Sequence, residues 1–377
     1  MKNKLIWTRI AKILCLLLCV LILSGACLSL CFYHDYTGIL MAGLFREPED
    51  TVDVVILGAS EAYIDYSAAY AYDLYGFTSY PYAWDAATGM LYEAQVKEVL
   101  KRQNPKWIVV EINGILYDEV KDATNPNSLR IFLDHTPMGV NKLQTMAQFA
   151  PREDWYHYLF PLAKYHENWK KAYDQGGLLR DLLSVKKNGS VLKGYVTNVM
   201  PYDAPEGRDV SQDFSTAPLE PTSESYLISF LEFCRENNLD NVMFVRFPHI
   251  IASDWNYQRF QRCNQAEAII ESYGFPFVNM ERDYKDIGLD FAADFYNEDH
   301  LNFVGQQKLT AYFGKILTEE YGLQPSVLTP EVQANWDKSA AYIRLFHDFC
   351  RERMENGQYD VYYETRAILE QLEARKP

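Results

Sequence analysis

Ser60 stands where the apolar run VDVVIL (52–57) gives way, through Gly58 and Ala59, to EAYIDYSAAYAYDLYG, a stretch of helical spacing that stops at Gly76. A serine in a strand-to-helix turn carries its hydroxyl over the sheet, beside backbone N–H groups that can stabilise an oxyanion, which suits a nucleophile. Serine is also a favoured helix N-cap, and both readings stand until a base is found. His300 is the candidate base. It lies in the polar stretch DFYNEDHLNFVGQQKLT, just before a helix that Asn302 can cap, and it follows the last expected strand at the same sheet edge as Ser60. Nucleophile first and histidine last is one solution of the triad problem, in which the imidazole takes the serine proton and a further group fixes its tautomer. The remaining histidines, His34, His135, His157, His166, His249 and His347, have no comparable context.

The elements that must position this pair alternate. Short β-branched or aromatic runs at 52–57, 79–84, 106–112, 241–247 and 276–280 are separated by stretches of helical period,. Such alternation predicts a parallel sheet covered on both faces, with sites at the C-terminal strand ends. Between 118 and 220 the alternation stops; this region reads as a helical insertion with a small hairpin in KKNGSVLKGYVTN, placed to act as a lid or substrate wall,. Residues 326–377 read as two charged helices after Pro325 and Pro330, a packing or partner-binding appendage.

ILGASEAY, followed near the far end by DHLNFVGQQKLT, resembles the first and last sequence blocks of the SGNH (GDSL-like) hydrolase superfamily. The likeness is to its membrane-anchored branch, similar to the D-alanine transfer protein of lipoteichoic acid synthesis and to alginate O-acetylation proteins. The resemblance implies a three-layer α/β/α flavodoxin-like domain over residues 51–325, with Ser60 as nucleophile and His300 as base. Where the family places an Asp three residues before the histidine, this chain has Asn297, which can accept a hydrogen bond from the ring but cannot balance an imidazolium by charge,. Asp299 is the other carboxyl at hand, although neighbouring side chains on an extended loop diverge. Asn113 in VVEINGI matches the family's oxyanion-hole Asn or is simply the turn residue of an Asn-Gly pair, and YAWDAATG offers no clear match to the family's second glycine. Glu61 reads as a helix-start acid that favours the dipole. Arg246, at a strand end, and Arg130, in NSLRIFLD, are candidates for holding an anionic group or for structural ion pairs.

Residues 13–33 contain no charged group and are long enough, at about 1.5 Å per residue, to cross roughly 30 Å of hydrocarbon,. Lys2, Lys4, Arg9 and Lys12 precede the run and Asp35 follows it, which places residues 1–12 in the cytoplasm and the rest outside, joined by a tether at 34–50,. A cleaved signal peptide, or a lipoprotein signal with Cys27 as the acylated residue, are the competing readings. Four of the seven cysteines fall in this run, so the outer part has no disulfide framework and must be held by its core,. A net charge of -15 argues against nucleic acid as a partner,. No Walker loop, dinucleotide-binding glycine pattern or clustered metal-ligand set is visible, so no cofactor or metal is implied. The expected function is therefore an extracytoplasmic, membrane-anchored serine acyltransferase or esterase. It would act on acetyl or D-alanyl groups of a cell-envelope polysaccharide or teichoic acid, with a multi-pass membrane acyltransferase as a possible partner. The alternative is a catalytically inactive protein of the same fold that binds envelope glycan or such a partner.

Overall fold

The computed structural model describes residues 2–31, 36–168, 170 and 190–375. Its centre is a sheet of β1 (Val54–Gly58), β2 (Ser79–Ala83), β3 (Trp107–Glu111), β5 (Val242–Arg246) and β6 (Phe277–Asn279), while β4 (Val196–Asn198) lies outside it. All pairings are parallel and the order is β2-β1-β3-β5-β6. Each of these strands falls within two residues of an apolar run in the sequence, because strands buried on both faces must be apolar at every position. Alternate residues then serve separate cores. Val55, Leu57, Ile108 and Val110 pack beneath helices Tyr92–Val99, Pro221–Glu236 and Asp254–Ser272. Val54, Ile56, Val109 and Met243 pack beneath helices Ser60–Ile64, Ala68–Tyr75 and Phe303–Lys315. The result is the expected three-layer α/β/α architecture. Pro81 is tolerated in β2 because that strand is an edge, where no ladder partner is needed on one side,.

Counted along the chain, the five strands stand in the order second, first, third, fourth, fifth, so the winding reverses between β1 and β3. In open α/β sheets, ligands bind in the crevice outside the carboxyl ends of the strands at such a reversal. Ser60 follows β1 and Asn113 follows β3.

Several stretches differ from their sequence reading. The single helix expected after Ser60 is two, broken at Asp65–Ser67, where the Ser67 hydroxyl caps the second through Tyr70 N. The tether is structured: Tyr36–Gly43 is helical, Leu40, Met41 and Leu44 are buried, and Glu47 forms a buried ion pair with Lys193 at 2.8 Å. The insertion contains short helices, and the start of the stretch read as a hairpin, 186–189, lies outside the described residues. At the end of that stretch β4 pairs antiparallel with β7 (Val361–Tyr363) from the tail. The tail itself is part of the core. Helix Pro330–Glu355 lies along helix Ala68–Tyr75 and buries Trp336, Ile343, Phe346 and Cys350. Apolar residues every third or fourth position of that helix explain why a charged sequence packs so well.

The N-terminal helix, Lys2–Cys31, includes the apolar stretch Ile6–Gly25, none of it buried against the rest of the chain. Its length and composition fit a membrane anchor or a signal sequence. Cys234, Cys263 and Cys350 are buried free thiols.

Candidate active site

Gly58 ends β1 at φ +155°, and a Cβ there would come within 2.9 Å of the Glu111 Cβ and 3.2 Å of the Ala62 Cβ. The corner between β1 and β3 is thus too tight for any side chain. Ala59 is the helix N-cap residue and Ser60 the first helical one, with no side-chain cap present. The Ser60 hydroxyl is therefore not a helix cap. Its Oγ lies 2.8 Å from Nε2 of His300, a good O–H···N distance, and 3.4 Å from Glu61 Oε2,.

His300 is held by a tight loop. Phe295 and Leu301 form an isolated antiparallel bridge, Tyr296 N donates to His300 O at 3.1 Å, and the Tyr296 ring stacks on the imidazole at 5.5 Å. Leu301 N donates to the buried Asp65 Oδ1 at 2.8 Å, tying this loop to the end of the Ser60 helix. Asn302 caps the next helix as expected, accepting from Val304 N and Gly305 N. Asn297 Oδ1 accepts from Asp299 N at 2.9 Å, an Asx-type turn that aims the amide oxygen at His300 Nδ1, 3.2 Å away,. This arrangement assigns the proton to Nδ1 and leaves the Nε2 lone pair facing Ser60. Burial, helped by the charges of His249 and Arg259, holds His300 below the ordinary histidine value despite Glu61 and Asp299. The imidazole is neutral at pH 7, as a general base must be. Asp299 turns away from the ring and pairs with Arg259 at 2.9 Å.

Beneath the pair runs a buried charged network. Glu61, expected at the helix start, does lie in the first turn, but its side chain is buried, with Oε1 3.5 Å from His249 Nε2. His249 Nδ1 is 3.0 Å from Glu281 Oε1, and Arg246 Nε donates to the same oxygen at 2.9 Å. Arg246 also reaches Glu111 at 3.3 Å. Arg246 is therefore committed to internal ion pairs rather than open to an anionic ligand. Arg130 belongs to a second cluster in the insertion, with Asn127, Asp134 and Tyr165.

Asn113 closes the network from the β3 side. Its Oδ1 accepts from Arg246 Nη1 at 3.0 Å and from Arg259 Nη2 at 2.5 Å, which fixes the amide flip and leaves Nδ2 without a partner among the described residues,. The loop after β2 has no matching glycine, yet Ala86 takes the left-handed conformation, φ +50°, that glycine usually supplies,.

Electrostatics divide the buried acids. For Glu61, burial favours the neutral form, but the hydrogen bond to His249 and the nearby positive charges prevail and hold it below the usual carboxylate value. For Glu111, burial and the neighbouring Glu61 prevail over Arg246 and raise it. His249 is depressed by burial and by Arg246, but Glu281 and Glu61 overcome this and raise it. Sequence reasoning missed His249, Glu111, Glu281 and Arg259. A signal existed for the first three, since polar residues closing an apolar strand, as in WIVVE and VMFVRFPH, point to the functional edge. Arg259 lies inside a helix, where nothing marks it. No protein-family model matches the chain, and no curated protein matches it.

Proposed function

We propose that this chain is a serine acyltransferase or esterase of the SGNH type, anchored by its N-terminal helix and facing the cell exterior, with Ser60 as nucleophile and His300 as base. One observation carries the reading: Ser60 Oγ, His300 Nε2, His300 Nδ1 and Asn297 Oδ1 are joined by contacts of 2.8 and 3.2 Å at the reversal point of the sheet.

In the proposed first step His300 Nε2 takes the Ser60 proton as Oγ bonds to the carbonyl carbon of an ester, whose π pair moves onto oxygen. The free Nδ2 of Asn113 and the backbone N–H groups that open the Ser60 helix are the donors for that oxyanion. The tetrahedral species collapses, the ester C–O bond breaks, and the Nε2 proton passes to the leaving alkoxide. Water or a polymer hydroxyl then attacks the acyl-enzyme, with His300 again as base. The resemblance to the anchored branch favours transfer of acetyl or D-alanyl groups to or from an envelope polymer, and an associated multi-pass acyltransferase would supply the acyl group.

The test is labelling of the detergent-solubilised full chain by a fluorophosphonate. The wild type labels, and Ser60→Ala and His300→Ala do not. A wild type that labels no more than Ser60→Ala overturns the enzymatic reading and leaves a binding role for the fold.

A further inference from the structure

The amide of Asn297 can hold the Nδ1 proton of His300, but it has no charge to set against the ring once that ring takes the Ser60 proton,. A carboxylate lies on the other side of the nucleophile. Glu61 Oε2 is 3.4 Å from Ser60 Oγ, and the residue is 1% exposed. Its other oxygen faces Nε2 of His249, whose Nδ1 faces the Phe247 carbonyl at 2.8 Å and Glu281 at 3.0 Å. Both ring nitrogens of His249 thus face oxygen acceptors, and only the imidazolium offers each of them a donor. Along the chain of contacts, Glu61, Glu111, Glu281 and Asp299 are set against Arg246, Arg259 and His249.

We propose that Glu61 stands in for the acid missing at position 297: its buried carboxylate balances the His300 imidazolium formed when Ser60 attacks, and His249 keeps that carboxylate ionised and in place. The proposal rests on the Ser60–His300 acyl chemistry above. Glu61 takes no proton and touches no substrate; it acts through His300, as a positioning residue. The charges acting on His300 are those of Glu61, Asp299, His249 and Arg259, while Ser60 and Asn297 contact its ring nitrogens and the Tyr296 ring stacks beside it. Those acting on Glu61 are His249, His300 and Arg246, and it in turn acts on Glu111, Asp65 and Tyr117. Burial raises Asp65, against the hydrogen bond from Leu301 N.

Two readouts on the full chain in detergent test this: the rate of fluorophosphonate capture, and the titration midpoint of His300 followed by NMR of isotope-labelled histidine. Glu61→Gln lowers the midpoint by about one unit or more and slows capture about ten- to hundredfold. Restoring a carboxylate at Nδ1 in Glu61→Gln/Asn297→Asp recovers about tenfold or more, which a merely structural role would not do. A Glu61→Gln protein with an unchanged midpoint, or a double variant no faster than the single one, overturns the proposal. If Glu61→Gln does not fold, Glu61→Asp serves in its place: it keeps the charge but draws it back by one methylene, and a midpoint and capture rate both unchanged from wild type overturn the proposal as well. A wild type that does not label, with the Glu61→Gln midpoint still lowered, sinks the acyl chemistry and upholds the charge coupling.

Discussion

Replacing Asn297 by Asp should move the pH dependence of Ser60 reactivity upward, by an amount that can be worked from the site. His300 must be neutral to accept the Ser60 proton, so capture by a fluorophosphonate falls tenfold per pH unit below the His300 midpoint. In the wild type, burial sets that midpoint below the ordinary histidine value, so the acid limb lies below pH 6.5. In Asn297→Asp a carboxylate oxygen takes the place of the amide oxygen 3.2 Å from Nδ1. Unit charges about 4 Å apart in an effective dielectric of about 20 interact by about 4 kcal/mol, or about three pK units. Desolvation of the added charge and its repulsion by Asp299 and Glu61 reduce this to about one or two units. The sign is fixed: a raised midpoint keeps the ring charged to higher pH and removes the base below it. Below both midpoints the neutral fraction drops about ten- to hundredfold, so the variant is slower than wild type there, while at pH 9 it equals or exceeds it. The assay is the second-order capture rate across that range. Superimposed acid limbs, or a limb displaced toward acid, would refute the assigned Nδ1–Asn297 contact.

Two further outcomes concern the frame around the site. Gly58→Ala forces a methyl against Glu111 at 2.9 Å in a backbone conformation hostile to L residues, and should cost about 2 kcal/mol or more in thermal or urea unfolding,; an unchanged melting temperature would show that the corner is loose. His347, buried in the tail helix against Tyr70 and Tyr195, is pushed down to about 3 by burial and then by Arg351. Its folded value lies below its unfolded one, so the unfolded chain binds the extra proton, and stability is lost as pH falls from about 6.5 toward 3, by up to about 4 kcal/mol. His347→Phe should flatten that acid slope, and an equally steep slope in the variant would place the loss elsewhere.

The sheet was legible because strands such as VVILG and WIVVE are buried on both faces and so read as unbroken apolar runs,. Ser60 and His300 were legible because each closes such an element with a residue whose chemistry is otherwise out of place. The tail was not. Its helix looks charged and solvent-facing until Trp336 is seen packed against Tyr72, with Lys193 over its ring at 4.2 Å. The hairpin read at 186–198 covered β4 but not its partner, because β7 lies far along the chain and strand pairing across that separation leaves no local pattern,. The charged network was half legible. Glu111 and Arg246 each end a strand, but nothing local says that a carboxylate on one strand and a guanidinium on the next will meet at 3.3 Å.

What keeps Ser60 and His300 at 2.8 Å also lies outside both motifs. Ser60 opens one helix of a layer and His300 lies in the loop that leads into another, so the contact survives only if that layer moves as a unit. Asp65 accepts from Leu301 N, Ser67 N donates to Thr310 Oγ1 at 3.1 Å, and Gln306 donates to the Ile64 carbonyl at the end of the Ser60 helix. Gln306 also donates to Val196 O at 3.1 Å, while its own oxygen accepts from Thr197 at 2.7 Å, which draws β4 into the same support. Since β4 pairs only with β7 among the described strands, the tail completes a brace that runs from the far terminus to the nucleophile. The residues after 326 therefore support the geometry of the pair rather than decorate the domain, and their burial against helix Ala68–Tyr75 is the physical reason,.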